Sequence, residues 1–124
     1  MLGIEKRRTS LVGYFARRVL PILVFTTIGI DQAAHAEDLM NRIARCESGG
    51  NQYDAQGKVL RNKSNPAVVG VFQINERYHA ATARRLGYNI YTREGNWAYA
   101  RWLLKSEGTT PWTDSEHCWR VAAK

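Results

Sequence analysis

The chain carries eleven carboxylate side chains, three histidines and two cysteines. Among them Glu47 has the most suggestive setting. It closes a helical pattern, follows Cys46 directly and is followed by Ser48-Gly49-Gly50. Near a helix C-terminus the partial negative charge raises a carboxyl pKa, and desolvation in a cleft acts in the same direction. A carboxyl still protonated near neutral pH can protonate a poor leaving group such as a glycosidic oxygen. The small residues after it keep the adjoining wall low enough for a bulky ligand. Position alone fits a solvated glutamate at a helix end better.

The other reactive residues form no competing set. His35, His79 and His117 are scattered, so no metal-ligand spacing is present and neither a metal nor a cofactor is expected. No Ser/His/Asp pattern stands in a recognisable context. An oxidised Cys46 is no thiol nucleophile. Asp54, Glu76 and Glu94 are the candidates for a second carboxylate, each in a loop or a first turn where acids are usually solvated.

These residues need elements to hold them. Leu39, Met40, Ile43 and Ala44 recur at helical spacing from Glu37 to Glu47, with Glu37 and Asp38 in the first turn and Gly49-Gly50 as the stop. Turn formers at Asp54, Gly57, Asn62 and Asn65-Pro66 separate short apolar runs, which predicts a small irregular hairpin over residues 51–75. A second helix is predicted from Glu76 to Leu86, capped by Gly87. A third follows Thr92 as N-cap and ends at Gly108. Pro111 to Trp119 closes the domain, and Ala122 to Lys124 reads as a frayed end. The fold class is therefore α+β and mainly α, with a small β-hairpin between helices.

The N-terminus has the layout of a secretory signal. Lys6, Arg7, Arg8, Arg17 and Arg18 precede the apolar run Val19 to Ile30 and the small-x-small site Ala34-His35-Ala36. That run is about a dozen residues, short of the roughly 20 that span a bilayer. Residues 1–36 are expected to be cleaved after Ala36, through general secretion, leaving residues 37–124 as one small domain; an uncleaved anchor is the alternative. Contact with a membrane is expected only during export, and the product is placed in the cell envelope or outside the cell.

The remaining domain holds thirteen Lys or Arg against nine Asp or Glu, about +4. That balance suits an anionic polymer and lacks the dense basic stripe of a nucleic-acid binder, so no nucleic-acid partner is expected. Cys46 and Cys118 both lie in the exported part, where a disulfide persists.

Arg45-Cys46-Glu47-Ser48-Gly49-Gly50, followed some two dozen residues later by Gly70-Val71-Phe72-Gln73-Ile74-Asn75, resembles the two signature stretches of the lysozyme-like lytic transglycosylase superfamily. The cysteine before the glutamate, the late Trp112-x-x-Ser115-x-x-Cys118-Trp119 and the short length are similar to its compact branch, the resuscitation-promoting factors and small phage and bacterial wall hydrolases. The resemblance runs from about Leu39 to Trp119. Two departures stand out: the Ala-Tyr-Asn-Ala-Gly motif of the larger enzymes is absent, and Ala100 and Leu103 stand where glycine and tyrosine are usual.

The resemblance implies a lysozyme-like fold and cleavage of the N-acetylmuramic acid to N-acetylglucosamine bond in peptidoglycan glycan strands; a monomer is expected. It implies Glu47 as the single catalytic acid, Ser48 as the neighbour that helps hold it, Gln73 as an amide lining the cleft, and Asn96 as a packing residue behind the site. Tyr53, Asn75, Tyr78 and Trp112 are added on chemical grounds, since aromatic faces stack on sugar rings and amides read N-acetyl groups. Lysozyme-type hydrolysis of the same bond and a non-catalytic glycan-binding module are the alternatives.

Overall fold

A computed structural model describes residues 20–120. Residues 1–19, which hold the basic end of the expected leader, and Ala122 to Lys124, read as a frayed end, lie outside the described residues. Helix α1 spans Leu20–Ser48, so the helix predicted from Glu37 extends further upstream. Asp31-Gln32-Ala33-Ala34-His35-Ala36 supplies good helix formers and no stop signal, which lets the backbone continue through the expected cleavage site. The chain divides into two units between Ala34 and His35. Among the described residues, no helix is long and apolar enough to cross a membrane.

The unit from His35 onward is mainly helical. After α1 come strands β1 (Val68–Val69) and β2 (Ile74–Asn75), then helices α2 (Glu76–Arg85) and α3 (Arg93–Glu107), a 3-10 turn over Thr110–Ser115 and the short helix α4 (Glu116–Trp119). The strands pair antiparallel with Val68 opposite Asn75 and Val69 opposite Ile74. Isolated bridges join Tyr53 to Val59 and Arg61 to Val69, which ties the long loop before β1 to the hairpin.

Local chemistry sets the element ends. Asn75 accepts a hydrogen bond from the Arg77 N–H to start α2, and Thr92 accepts one from the Gly95 N–H to start α3. At the end of α1, the Gly49 and Gly50 amides return to the Arg45 and Ala44 carbonyls at 3.0 Å. Both glycines adopt positive φ, which turns the chain away directly after Glu47 and Ser48.

The core joins Met40, Ile43 and Ala44 of α1 with Val69, Val71, Phe72 and Ile74 of the hairpin, Tyr99 and Leu103 of α3, and the late Trp112 and Trp119. Two buried amides hold the hairpin turn in it. Asn96 Oδ1 accepts the Phe72 N–H at 3.0 Å, while its Nδ2 donates to the Val69 and Ile90 carbonyls. Gln52 Oε1 accepts the Val71 N–H at 3.0 Å. Buried peptide groups cost free energy unless paired, so these amides replace the ladder that two-residue strands cannot supply. Gly70 makes the arrangement possible. A Cβ there would lie 2.4 Å from Asn96 Nδ2 and 2.6 Å from Gln52 Oε1, and its φ is +74°.

Candidate active site

Glu47 occupies the last turn of α1, at the wall of a groove of about 710 Å³. The hairpin and the start of α2 form one side of this groove through Gln73, Ile74, Asn75, Tyr78 and His79. The 3-10 turn and α4 form the other, through Trp112, Asp114, Ser115 and His117. Phe72 and Leu103 supply apolar surface between them.

A covalent tie fixes the side on which Glu47 stands. Cys46 is bonded to Cys118, across 72 residues of chain. Closing a loop of that length stabilises the fold by about 4 kcal/mol on the chain-entropy account. The bridge also sets α4 and the preceding turn directly beside the acid. The Ser115 hydroxyl donates to Glu47 Oε1 at 2.5 Å. Trp112 anchors the same turn from within, donating its indole N–H to the Phe72 carbonyl at 3.0 Å, while its own carbonyl accepts the Trp119 indole N–H at 3.0 Å.

Glu47 is half-buried, and burial pushes its carboxyl pKa above the ordinary range. The Ser115 hydrogen bond opposes that rise by favouring the charged form, and the negative charge of Asp114 adds to it. The net effect is a carboxyl that holds its proton to higher pH than an exposed glutamate does.

The proposed ligand-contacting residues divide in two. Gln73, Asn75, Tyr78 and Trp112 line the groove with Glu47. Tyr78 is 77% exposed and presents an open aromatic face, whereas Trp112 is 3% exposed and is mainly core. Gln73 is held with φ +49° and donates its amide to the Gly70 carbonyl at 2.9 Å. Asn75 uses its Oδ1 as the α2 cap. Ser48 and Tyr53 are not among the lining residues. Ser48 donates to the Val71 carbonyl at 2.7 Å and so ties the end of α1 to the hairpin turn, which holds Glu47 in place from beneath. Tyr53 sits in the bridge to Val59. Asn96 lies behind the site as a wholly buried clamp.

None of the three candidates for a second carboxylate is among the residues lining the groove. Asp54 closes its own loop by accepting the Gln56 and Lys58 N–H groups at 2.9 Å. Glu76 is engaged by Arg61 and Tyr91, and Glu94 lies in the first turn of α3. The acid that shares the groove is Asp114. A signal for it and for Ser115 was present in the cysteine spacing. The Cys46–Cys118 bridge keeps the segment just before Cys118 within reach of the residue after Cys46. His79, whose Nδ1 is 3.0 Å from the Tyr99 hydroxyl, and His117 also face the groove without a sequence pattern that marks them. Among the described residues no group of three or more His, Cys, Asp or Glu side chains is placed to hold a metal ion.

Comparison with models of protein families, with characterised proteins and with solved structures finds no match.

Proposed function

We propose that the chain is an exported peptidoglycan-cleaving enzyme with a lysozyme-like fold, in which Glu47 is the catalytic acid. The observation that carries this reading is the carboxyl of Glu47, half-buried and raised in pKa on the wall of a groove of about 710 Å³. Its supports are the sequence resemblance around Glu47 and Gly70 to Asn75, the open aromatic face of Tyr78, and the amides of Gln73 and Asn75 along the same groove. The Cys46–Cys118 bridge fits an oxidising compartment. Residues 1–36 would serve as the leader and residues 37–124 as the catalytic domain.

In the transglycosylase reaction Glu47 donates its proton to the oxygen joining C1 of N-acetylmuramic acid to O4 of N-acetylglucosamine, and the C1–O4 bond breaks. The N-acetyl carbonyl of the substrate supports the positive charge at C1. The Glu47 carboxylate then takes the proton of the C6 hydroxyl as that oxygen closes on C1, which leaves a 1,6-anhydro end and restores the acid. One carboxyl serves both steps, so no second carboxylate is required.

Asp114 favours a second reading. Two carboxyl groups lining one groove suit hydrolysis, with one as acid and the other assisting water or bearing against the cationic centre. Mass spectrometry of digested wall separates the two, since anhydro ends lack one water. A zymogram on embedded peptidoglycan tests cleavage itself; an intact gel under the oxidised protein would refute both.

A further inference from the structure

Ser115, from the late Trp112-x-x-Ser115-x-x-Cys118-Trp119 pattern, touches the acid but has been given no role so far. Its hydroxyl has one proton and two acceptors within reach, Glu47 Oε1 at 2.5 Å and the Trp112 carbonyl at 3.2 Å. The shorter contact takes the proton. Glu47 Oε2 has no hydrogen-bond partner among the described residues and is not a buried orphan, so it is open to the groove.

We propose that Ser115 is a positioning residue for the acid: by donating to Oε1 of Glu47, it assigns the transferable proton to Oε2. This inference rests on the reading of Glu47 as the catalytic acid.

The geometry around Ser115 supports such a role. The hydroxyl sits on a turn fixed by buried bonds on either side, Trp112 to Phe72 and Trp119 to Trp112, and by the bridge three residues further on. It therefore cannot drift away when Glu47 changes charge. The neutrality of the partner matters as well. A cation in this place would stabilise the carboxylate outright and strip the acid of its proton. A hydroxyl gives a modest bond to the carboxyl group and a stronger, charge-assisted one as negative charge develops during transfer. The other titratable groups facing the acid are Tyr78 and His79 from α2, Asp114 from the 3-10 turn and His117 from α4, with Arg45 in the last turn of α1 itself. Among the described residues none of them hydrogen-bonds Glu47, so it is the Ser115 hydroxyl that orients the carboxyl.

The test uses the oxidised protein and three variants, Ser115→Ala, Ser115→Thr and Ser115→Val. Carbon-13 titration of the Glu47 carboxyl is followed alongside kinetics on soluble glycan strands. In the Ala and Val variants the carboxyl is expected to titrate higher than in the parent, because the Ser115 bond favouring its charged form is gone. Although more of the acid is then protonated at neutral pH, kcat is expected to fall about tenfold at unchanged KM, as positioning is lost. Thr keeps the hydroxyl and should restore both. Thr and Val have nearly the same shape, so they carry the comparison if the Ala variant loosens the turn. An unmoved or lowered titration in the Ala and Val variants, or a Thr variant as impaired as Val, overturns the proposal. If the parent protein cleaves no glycan, the catalytic reading of Glu47 fails, while the titration still decides whether Ser115 governs the carboxyl.

Discussion

Glu47 and Glu76 are the same side chain put to opposite uses at opposite kinds of helix end. Glu47 closes α1, where the helix dipole is unfavourable to an anion, and its partner is a neutral hydroxyl. Glu76 opens α2, where the dipole favours an anion, and it accepts from the Arg61 guanidinium at 2.8 Å and the Tyr91 hydroxyl at 2.9 Å. Burial raises the pKa of the first. The Arg61 hydrogen bond leads the causes that lower the second. The contrast shows why residue type alone says little about chemistry: the acid proposed at position 47 has poor compensation for its charge, and the ion-paired acid at position 76 has good compensation. The hairpin separates the two, with Glu76 bracing its outer loop through Arg61 and Glu47 facing the groove.

The largest effect should come from Glu47→Gln. The amide is near isosteric and has no proton to donate, so wall cleavage should drop by about a thousandfold or more, measured as release of soluble muropeptides. Stability should move the other way. A carboxyl whose folded pKa lies above its unfolded value loses stability as pH rises through the interval between them. At neutral pH the variant should therefore melt at or a few degrees above the parent, with the gap closing below the ordinary carboxyl range. A variant that cleaves normally would erase the distinction between the two glutamates.

Next in size is the disulfide. Cys46→Ser with Cys118→Ser should lower the melting temperature by roughly 15 °C, given about 4 kcal/mol for the closed loop. Cleavage should fall with it, because the Ser115 contact depends on the turn that the bridge holds. The Arg61–Glu76 pair does not depend on that turn, so amide exchange should accelerate around residues 110–120 before it does around Arg61. Equal acceleration in both would mean that the bridge merely stabilises the whole fold.

The two glutamates also differ in how far the sequence disclosed them. Thr92 and Gly108 marked the ends of α3, and Glu76 and Gly87 those of α2, because capping chemistry is local. The upstream reach of α1 was missed, since Ala34-His35-Ala36 reads as a cleavage site while Gln32, Ala33, Ala34 and Ala36 are good helix formers. Glu47 was legible through its neighbours Cys46 and Gly49-Gly50. The wall beside it was not, because a 3-10 turn has no hydrophobic period and Asp114 looks like any exposed acid. Gln52 was likewise unreadable as a core residue; its burial depends on backbone groups brought there from residues 71 and 90.

A smaller effect should follow from Asp114→Asn. Its charge is one of the causes holding the Glu47 pKa up, so its removal should move the alkaline limb of the pH–rate profile a few tenths of a unit toward acid pH. Under the single-acid mechanism, activity at the optimum should stay within about threefold. A loss of about a hundredfold or more would instead identify Asp114 as a working partner and favour hydrolysis.

The smallest effect is expected at Glu76→Gln, and it closes the comparison. The Arg61–Glu76 pair lies near the surface, with side chains 43% and 26% exposed, so solvent screening limits its value to about 0.5 kcal/mol. Because the folded pKa of Glu76 is depressed, that contribution is present above the unfolded carboxyl pKa and disappears as pH falls through the folded one. Parent and variant should therefore differ slightly in melting temperature at neutral pH and converge in acid, opposite to the sense expected at Glu47, where the variant is the more stable at neutral pH. Wall cleavage should be unchanged. If Glu76→Gln instead abolished cleavage while the protein stayed folded, the ion pair would have to act on the groove through Asn75 and Tyr78, and the division of labour between the two helix ends would be wrong.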